Sequence, residues 1–234
     1  MRINPWAAFG IILTIFGAQP ASAVTYRNPA HDVAPGRMSF GLGLEDQERT
    51  FDVERSGESD RGFSLFGLSF GYGLVPGVAL DATLNSVSIS GETLGRDQTG
   101  LEAGLLLRWN LDADTPLNPD GDTFSQFRKG VLAGIRLGDA EDEGGLGTGY
   151  VQYDLGFGVG TPLIRQVQLY AGGVLSLFEG TGKGGTIPDY DVYGASMLGA
   201  FAGVEYQAQP NLLVGAELHL IHEWGFAIYA QYSP

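Results

Sequence analysis

From Arg37 to its end, the chain is a succession of short segments in which every second residue is large and apolar, with glycine, a polar group or an isolated charge between. A period of two is the signature of strands, and the kind of residue that alternates decides where those strands sit. In a water-soluble sheet the large apolar side chains make the core and polar ones face solvent. Here the second member is too small or too charged for that arrangement. Leu101, Ala103, Leu105, Leu107 and Trp109 stand against Glu102, Gly104, Leu106 and Arg108, and Val151, Tyr153, Leu155, Phe157 and Val159 against Gln152, Asp154, Gly156 and Gly158. The first sets suit hydrocarbon and the second a tight, polar lumen. The pattern therefore predicts an all-β chain folded as an antiparallel up-and-down transmembrane β-barrel.

Candidate strands lie near 37–45, 62–73, 77–90, 98–109, 129–138, 149–160, 165–178, 191–207, 212–222 and 225–232. Most are close to the ~9–11 residues that a tilted strand needs to cross a bilayer. Val75-Pro76-Gly77, Thr161-Pro162-Leu163 and Gln209-Pro210-Asn211 are tight turns at alternate junctions. Longer polar loops are expected at 46–61, 91–97, 139–148 and 179–190. Short periplasmic turns and long external loops are the arrangement of outer-membrane barrels, and they put both termini in the periplasm. The junction 111–127 is long on the short-turn side, and an extra strand at 49–55 is conceivable, so the expected ten strands have eight and twelve as alternatives.

Met1 and Arg2 precede an apolar run from Trp6 to Ala18, and Ala21-Ser22-Ala23 supplies a small-residue cleavage pattern. Residues 1–23 read as a signal peptide, 24–36 as a periplasmic N-terminal segment and 37–234 as the barrel. The expected location is the outer membrane of a Gram-negative cell. With 27 acidic against 13 basic residues, a formal net charge of −14, nucleic acid is excluded as a partner. Cysteine is absent, so no disulfide staples the fold. The 37 glycines fall inside the apolar segments as well as in turns, where they make room for long lumen side chains.

Over residues 37–232 the chain resembles the small bacterial outer-membrane β-barrel proteins. Phe226-Ala227-Ile228-Tyr229-Ala230-Gln231-Tyr232 looks like the terminal strand that barrel-assembly machinery reads in that class, although Ser233 and Pro234 follow where an aromatic residue usually closes the chain. The resemblance implies outer-membrane lipid and the assembly machinery as partners. It is to an architecture, and no family of known activity comes with it.

Taking the apolar member of each pair as outward puts Glu45, Asp81, Glu102, Asp154, Glu205 and Glu217 in the lumen with Arg108, Arg136 and His219. Buried charges must be paired or hydrated, so Asp81 is expected against Arg108 and Arg136 against Asp154. Six acids against two arginines would make an open lumen favour cations. Glu217, His219 and His222 are the candidate catalytic residues. Glu217 and His219 share a face and could act as an acid/base pair, while His222 points the other way, so the two histidines cannot chelate one metal. The omptin proteases and the outer-membrane lipid A deacylases offer no carry-over, because the Asp-His pair of the first and the His and Ser two apart of the second have no counterpart here. Asp112, Asp114, Asn118, Asp120 and Asp122 have the composition of a calcium loop without its glycine position. Nothing asks for a cofactor.

The expected function is a non-enzymatic structural or surface-interaction role carried by acidic external loops, with an extracellular or envelope protein as their partner. The alternatives are a narrow cation-preferring channel and a lipid- or peptide-modifying barrel enzyme.

Overall fold

A computed structural model describes residues 26–31, 33–54, 57–91, 97–113, 127–164, 166–184, 187–220 and 223–234. The strands are β1 (Met38–Val53), β2 (Gly57–Val75), β3 (Val78–Ser90), β4 (Gln98–Asn110), β5 (Arg128–Glu141), β6 (Gly147–Ile164), β7 (Val167–Gly184), β8 (Ile187–Gly194), β9 (Leu198–Gln209), β10 (Leu212–Leu220) and β11 (Glu223–Tyr232). Every pairing is antiparallel, and β11 closes on β1 from Phe40–Tyr232 to Arg49–Glu223. The result is a closed ten-stranded barrel made of β1–β7 and β9–β11. Its lower end carries the short turns after β2, β6 and β9, together with the C-terminus.

β8 is the eleventh strand and does not belong to that ring. It pairs with the upper end of β7, from Glu179–Tyr193 to Gly184–Ile187, and with the upper end of β1 at Phe51–Gly194, Asp52–Tyr193 and Val53–Val192. Above the β10–β11 hairpin the wall is therefore a second closed ring of eight strands, β1 to β8. After a break at Ala195–Met197 the chain continues down as β9, so the single strand expected at 191–207 is two, with different neighbours on one side.

The loops expected at 46–61 and 179–190 are mostly strand. β1, β2, β6 and β7 run for 16, 19, 18 and 18 residues, well beyond a single membrane crossing. The outward side chains of β1, β2, β7 and β8 turn acidic towards the top, as at Asp46, Glu48, Asp52, Glu58, Asp60, Glu179 and Asp191, which gives these stretches the composition of loops. The inward positions keep the period of two, with Gln47, Arg49, Phe51 and Val53 on β1 and Ser59, Arg61, Phe63 and Leu65 on β2 all buried.

Lower down the outward face is apolar. Phe66, Leu68, Phe70, Leu101, Leu105, Leu107, Leu155 and Phe157 are exposed, with Tyr72, Trp109, Tyr206 and Tyr232 at the lower edge and Tyr153 and Trp224 near the upper. An apolar band between aromatic girdles is the surface of a lipid-embedded barrel. The interior is the reverse, with carboxylates and guanidiniums among the most buried groups. Apolar side chains inside gather in two layers. The upper one joins Phe51, Val53, Phe63, Leu65, Val87, Ile89, Ala140, Tyr150, Phe178 and Val192, and the lower one Tyr26, Leu106, Leu132, Tyr170, Val174 and Phe201.

Candidate functional site

The lumen charges are held in hydrogen-bonded clusters. Arg108 Nε on β4 donates to Asp81 Oδ2 on β3 at 2.7 Å, diagonally across the ladder, since Asp81 is paired with Leu106. Arg136 Nη2 on β5 donates to Asp154 Oδ2 on β6 at 3.1 Å. Gln152 Nε2 is bonded to Asp154 Oδ1 (2.9 Å) and Ser176 Oγ (2.8 Å), and Arg49 Nη1 donates to Gln152 Oε1 at 2.7 Å. Both ion pairs expected from the alternation are therefore formed.

Three carboxylates share a local design that the register explains. Tyr150, Tyr170 and Tyr229 point inward, and each lies over the glycine paired with it on a neighbouring strand, respectively Gly138, Gly203 and Gly215. A Cβ at any of these glycines would collide with the tyrosine ring. The ring lies flat against the wall and its hydroxyl reaches across to an acid: Tyr150 Oη donates to Glu102, Tyr170 Oη to Glu217 and Tyr229 Oη to Glu205, each at 2.8 Å.

The chain before β1 completes the site. The described part of the segment set apart at 24–36 as a periplasmic extension runs inside the barrel, where Tyr26, Arg27, Asn28, Ala30 and Val33 are buried. Tyr26 N donates to Glu217 Oε1 at 2.9 Å, Arg27 donates to Gln231 Oε1 (3.0 Å) and Ser69 Oγ (2.6 Å), and Asn28 Nδ2 donates to Glu205 Oε2 (3.1 Å) and Gln168 Oε1 (3.2 Å). The Arg27 guanidinium also stands 4.0 Å from Asp81 and 5.3 Å from the Tyr229 ring centre. The backbone of Arg27 is left-handed, with φ 52°. The wall gives way to the segment with Gly130 and Gly158 beside Pro29, Gly160 beside Asn28 and Gly73 beside Ala34. This is a plug, held by polar contacts to most of the circumference.

The plug and the upper strand extensions change the lumen's charge balance. Six buried carboxylates (Glu45, Asp81, Glu102, Asp154, Glu205 and Glu217) face five buried guanidiniums, Arg27, Arg49, Arg61, Arg108 and Arg136, among the described residues. The expected surplus of acid over two arginines came from assigning Arg27 to the periplasm and Arg49 and Arg61 to an external loop.

Of the candidate catalytic residues, Glu217 and His219 do meet, with His219 Nε2 at 2.7 Å from Glu217 Oε1 and His219 Nδ1 at 3.6 Å from Glu45. Both are sealed inside, and Glu217 already receives Tyr26 N and Tyr170 Oη. The pair is a fastening point for the plug, with no face open to a substrate. His222 lies outside the described residues, as do Asp114, Asn118, Asp120 and Asp122. Asp112 is a turn residue: its Oδ2 accepts Lys129 N at 2.7 Å, and its own N–H donates to Asn110 Oδ1. Among the described residues no group of three or more His, Cys, Asp or Glu is placed to hold a metal ion.

No protein-family model matches the sequence, and no curated protein matches it. Solved structures do. An outer membrane channel from Pseudomonas putida F1 superposes with a TM-score of 0.52 at 10% identity, over 91% of this chain and 100% of the other. The fold is that of an outer-membrane β-barrel. The translocator domain of the autotransporter NalP from Neisseria meningitidis follows at TM-score 0.44 and 10% identity, covering 84% of this chain and 88% of its own. Ail of Yersinia pestis gives 0.38 at 14% identity, over 86% and 99%. At 10% identity the barrel architecture is what is shared with the P. putida channel.

Proposed function

We propose that this chain is a non-enzymatic, occluded barrel of the outer membrane with a structural or surface-interaction role, its working surface the acidic wall above the membrane. One observation carries this reading: the bore is filled twice, by the plug in its lower half and by the aromatic layer in its upper half. In that layer Phe51, Phe63, Tyr150 and Phe178 come from four strands with ring centres 4.8–6.2 Å apart. A barrel filled this way is a stiff post, and its upper wall holds Asp52, Glu58, Asp60, Glu179 and Asp191 on its outer face as a fixed array, with Asp46 and Glu48 just below them beside β11. In this reading the leader is cleaved on export, the lower end faces the periplasm, lipid covers the apolar band, the assembly machinery receives β11, and the partner of the acidic face is a basic region of an extracellular or envelope protein.

Conductance in planar bilayers tests it. The inserted mature protein is expected to be silent, and a steady conductance would overturn the occluded reading. The channel alternative is supported by the nature of the P. putida protein above, and it requires the plug to leave. A nearly balanced lumen charge weakens the cation preference that it would need. The enzyme alternative rests on Glu217 and His219. An activity on envelope lipids or peptides that is lost in both Glu217→Gln and His219→Asn, with the barrel still folded, would revive it.

A further inference from the structure

Around the lower mouth of the barrel the basic groups outnumber the acids that can serve them. Arg108 and Arg27 share Asp81, at 2.7 and 4.0 Å. Glu205 accepts Tyr229 Oη and Asn28 Nδ2, and His31 Nδ1 stands 3.4 Å from its Oε2. Arg128, the first residue of β5, has the inward parity of Gly130 and Leu132, and its side chain makes no hydrogen bond or ion pair among the described residues, with Nε buried and unpartnered. Two carboxylates thus face three guanidiniums and an imidazole, and Arg128 is the group left over. A charge withdrawn from bulk water needs a counter-ion or hydration. Arg128 also lines a cavity of about 130 Å³ between plug and wall, with His31 and Asn28 of the plug, Gly160 and Thr161 of β6 and Gln168 of β7. No carboxylate lines it, in a chain whose formal charge is −14. The Thr161 hydroxyl is uncommitted among the described residues, as is the Gln168 amide nitrogen, since only Gln168 Oε1 is engaged, by Asn28. At ~30 Å³ per water the space is that of about four waters, enough for a small ion and too little for a nucleotide.

We propose that this cavity binds a phosphate group, held chiefly by Arg128, and that its occupation pins the plug to the wall. A guanidinium presents its N–H groups as a planar fork that matches two phosphate oxygens at once. The polar groups of the cavity come from the plug and from β5, β6 and β7, so they surround a ligand instead of meeting one edge of it. A tetrahedral oxyanion, with acceptors in every direction, fits that arrangement better than a planar carboxylate. Because His31 and Asn28 belong to the plug and the other lining groups to the wall, a ligand seated there touches both, and by mass action it stabilises the docked plug. Free phosphate and the phosphomonoester head of a lipid carry the same chemistry. The site requires the plug in place, but it is independent of the partner proposed for the acidic wall.

Calorimetric titration of the protein purified in phosphate-free detergent solution tests the site, with inorganic phosphate as one probe and dihexanoyl phosphatidic acid as the other. Saturable binding at one site is expected, and the tighter of the two probes names the source. Arg128→Gln is expected to weaken it by about tenfold or more and Arg128→Lys by less, since an ammonium keeps the charge without the fork. Arg37→Gln, at the same mouth but bonded to Pro234 O and outside the cavity, is expected to leave it unchanged. Heat modifiability checks that each variant is folded. Pinning is read from tryptic cleavage after Arg27, which follows the population of the open form and is expected to slow by about tenfold at a ligand concentration roughly ten times Kd. In Arg128→Gln the same addition should leave cleavage unaltered. No saturable binding of either probe, or undiminished binding in Arg128→Gln, would overturn the proposal. Binding that leaves cleavage of the native chain unchanged would overturn the pinning.

Discussion

At the residue scale the most instructive unit is the glycine beneath a tyrosine that serves a carboxylate. The alternation shows that Gly203 faces inward. That Tyr170 covers it depends on the pairing of β7 with β9, which skips over β8, and no local pattern contains that information. Gly203→Val is expected to force the Tyr170 ring off the wall and to cost ~1–3 kcal/mol of stability as overpacking, read as a lower urea midpoint of the folded barrel. Removing the hydroxyl instead, in Tyr229→Phe, takes one donor from the buried Glu205 and is expected to cost ~1.5–3 kcal/mol by the same measurement. Asp81→Asn leaves Arg108 and Arg27 without their anion and is expected to be the most severe of the three, at ~3–5 kcal/mol. The Asp81–Arg108 and Arg136–Asp154 pairs were legible because they lie on consecutive strands joined as hairpins. The contribution of Arg27 was not, because a short segment with Arg, Asn, Pro and His has the composition of a linker, and its burial comes only from the closed wall around it.

At the scale of elements, two stretches read as loops are walls, and one segment read as a tail is a plug. The cause is the same in each case: polarity is a guide to exposure only when the inside is apolar, and this inside is not. Outward acids on β1, β2, β7 and β8 resemble loop residues, while their inward neighbours build the aromatic layer. Phe178 contacts Phe51, Phe63 and Tyr150, so Phe178→Ala is expected to destabilise the upper ring by ~3–5 kcal/mol. Proteolysis near the β7–β8 connection should then rise before the lower barrel loses heat modifiability. Simultaneous loss of both would show that the rings are one cooperative unit.

For the whole molecule, the alternation was enough to place lipid outside and charge inside, since it is repeated on every strand and tolerates errors of a residue or two at each end. The count of ten was legible from the turns. The eleventh strand was hidden by its continuity with β9, because a chain that changes partner without changing direction leaves no turn in the sequence. A chain lacking 24–36 is expected to keep the barrel, with strand-type circular dichroism and a boiling-dependent mobility shift. It is also expected to open a small conductance if the upper aromatic layer yields, and to stay silent if that layer alone seals the bore.

β1 takes part in two closures. In the membrane it meets β11, the last strand of the chain, and above the membrane it meets β8, made before β9, β10 and β11 exist. A growing or inserting chain thus holds everything needed to complete the upper ring while the lower one still gapes by three strands. The early seam, from Phe51–Gly194 to Val53–Val192, fixes the register of β1, so the final hairpin enters a slot whose two edges are already set. The small ring is the clasp that lets the large one shut in only one way.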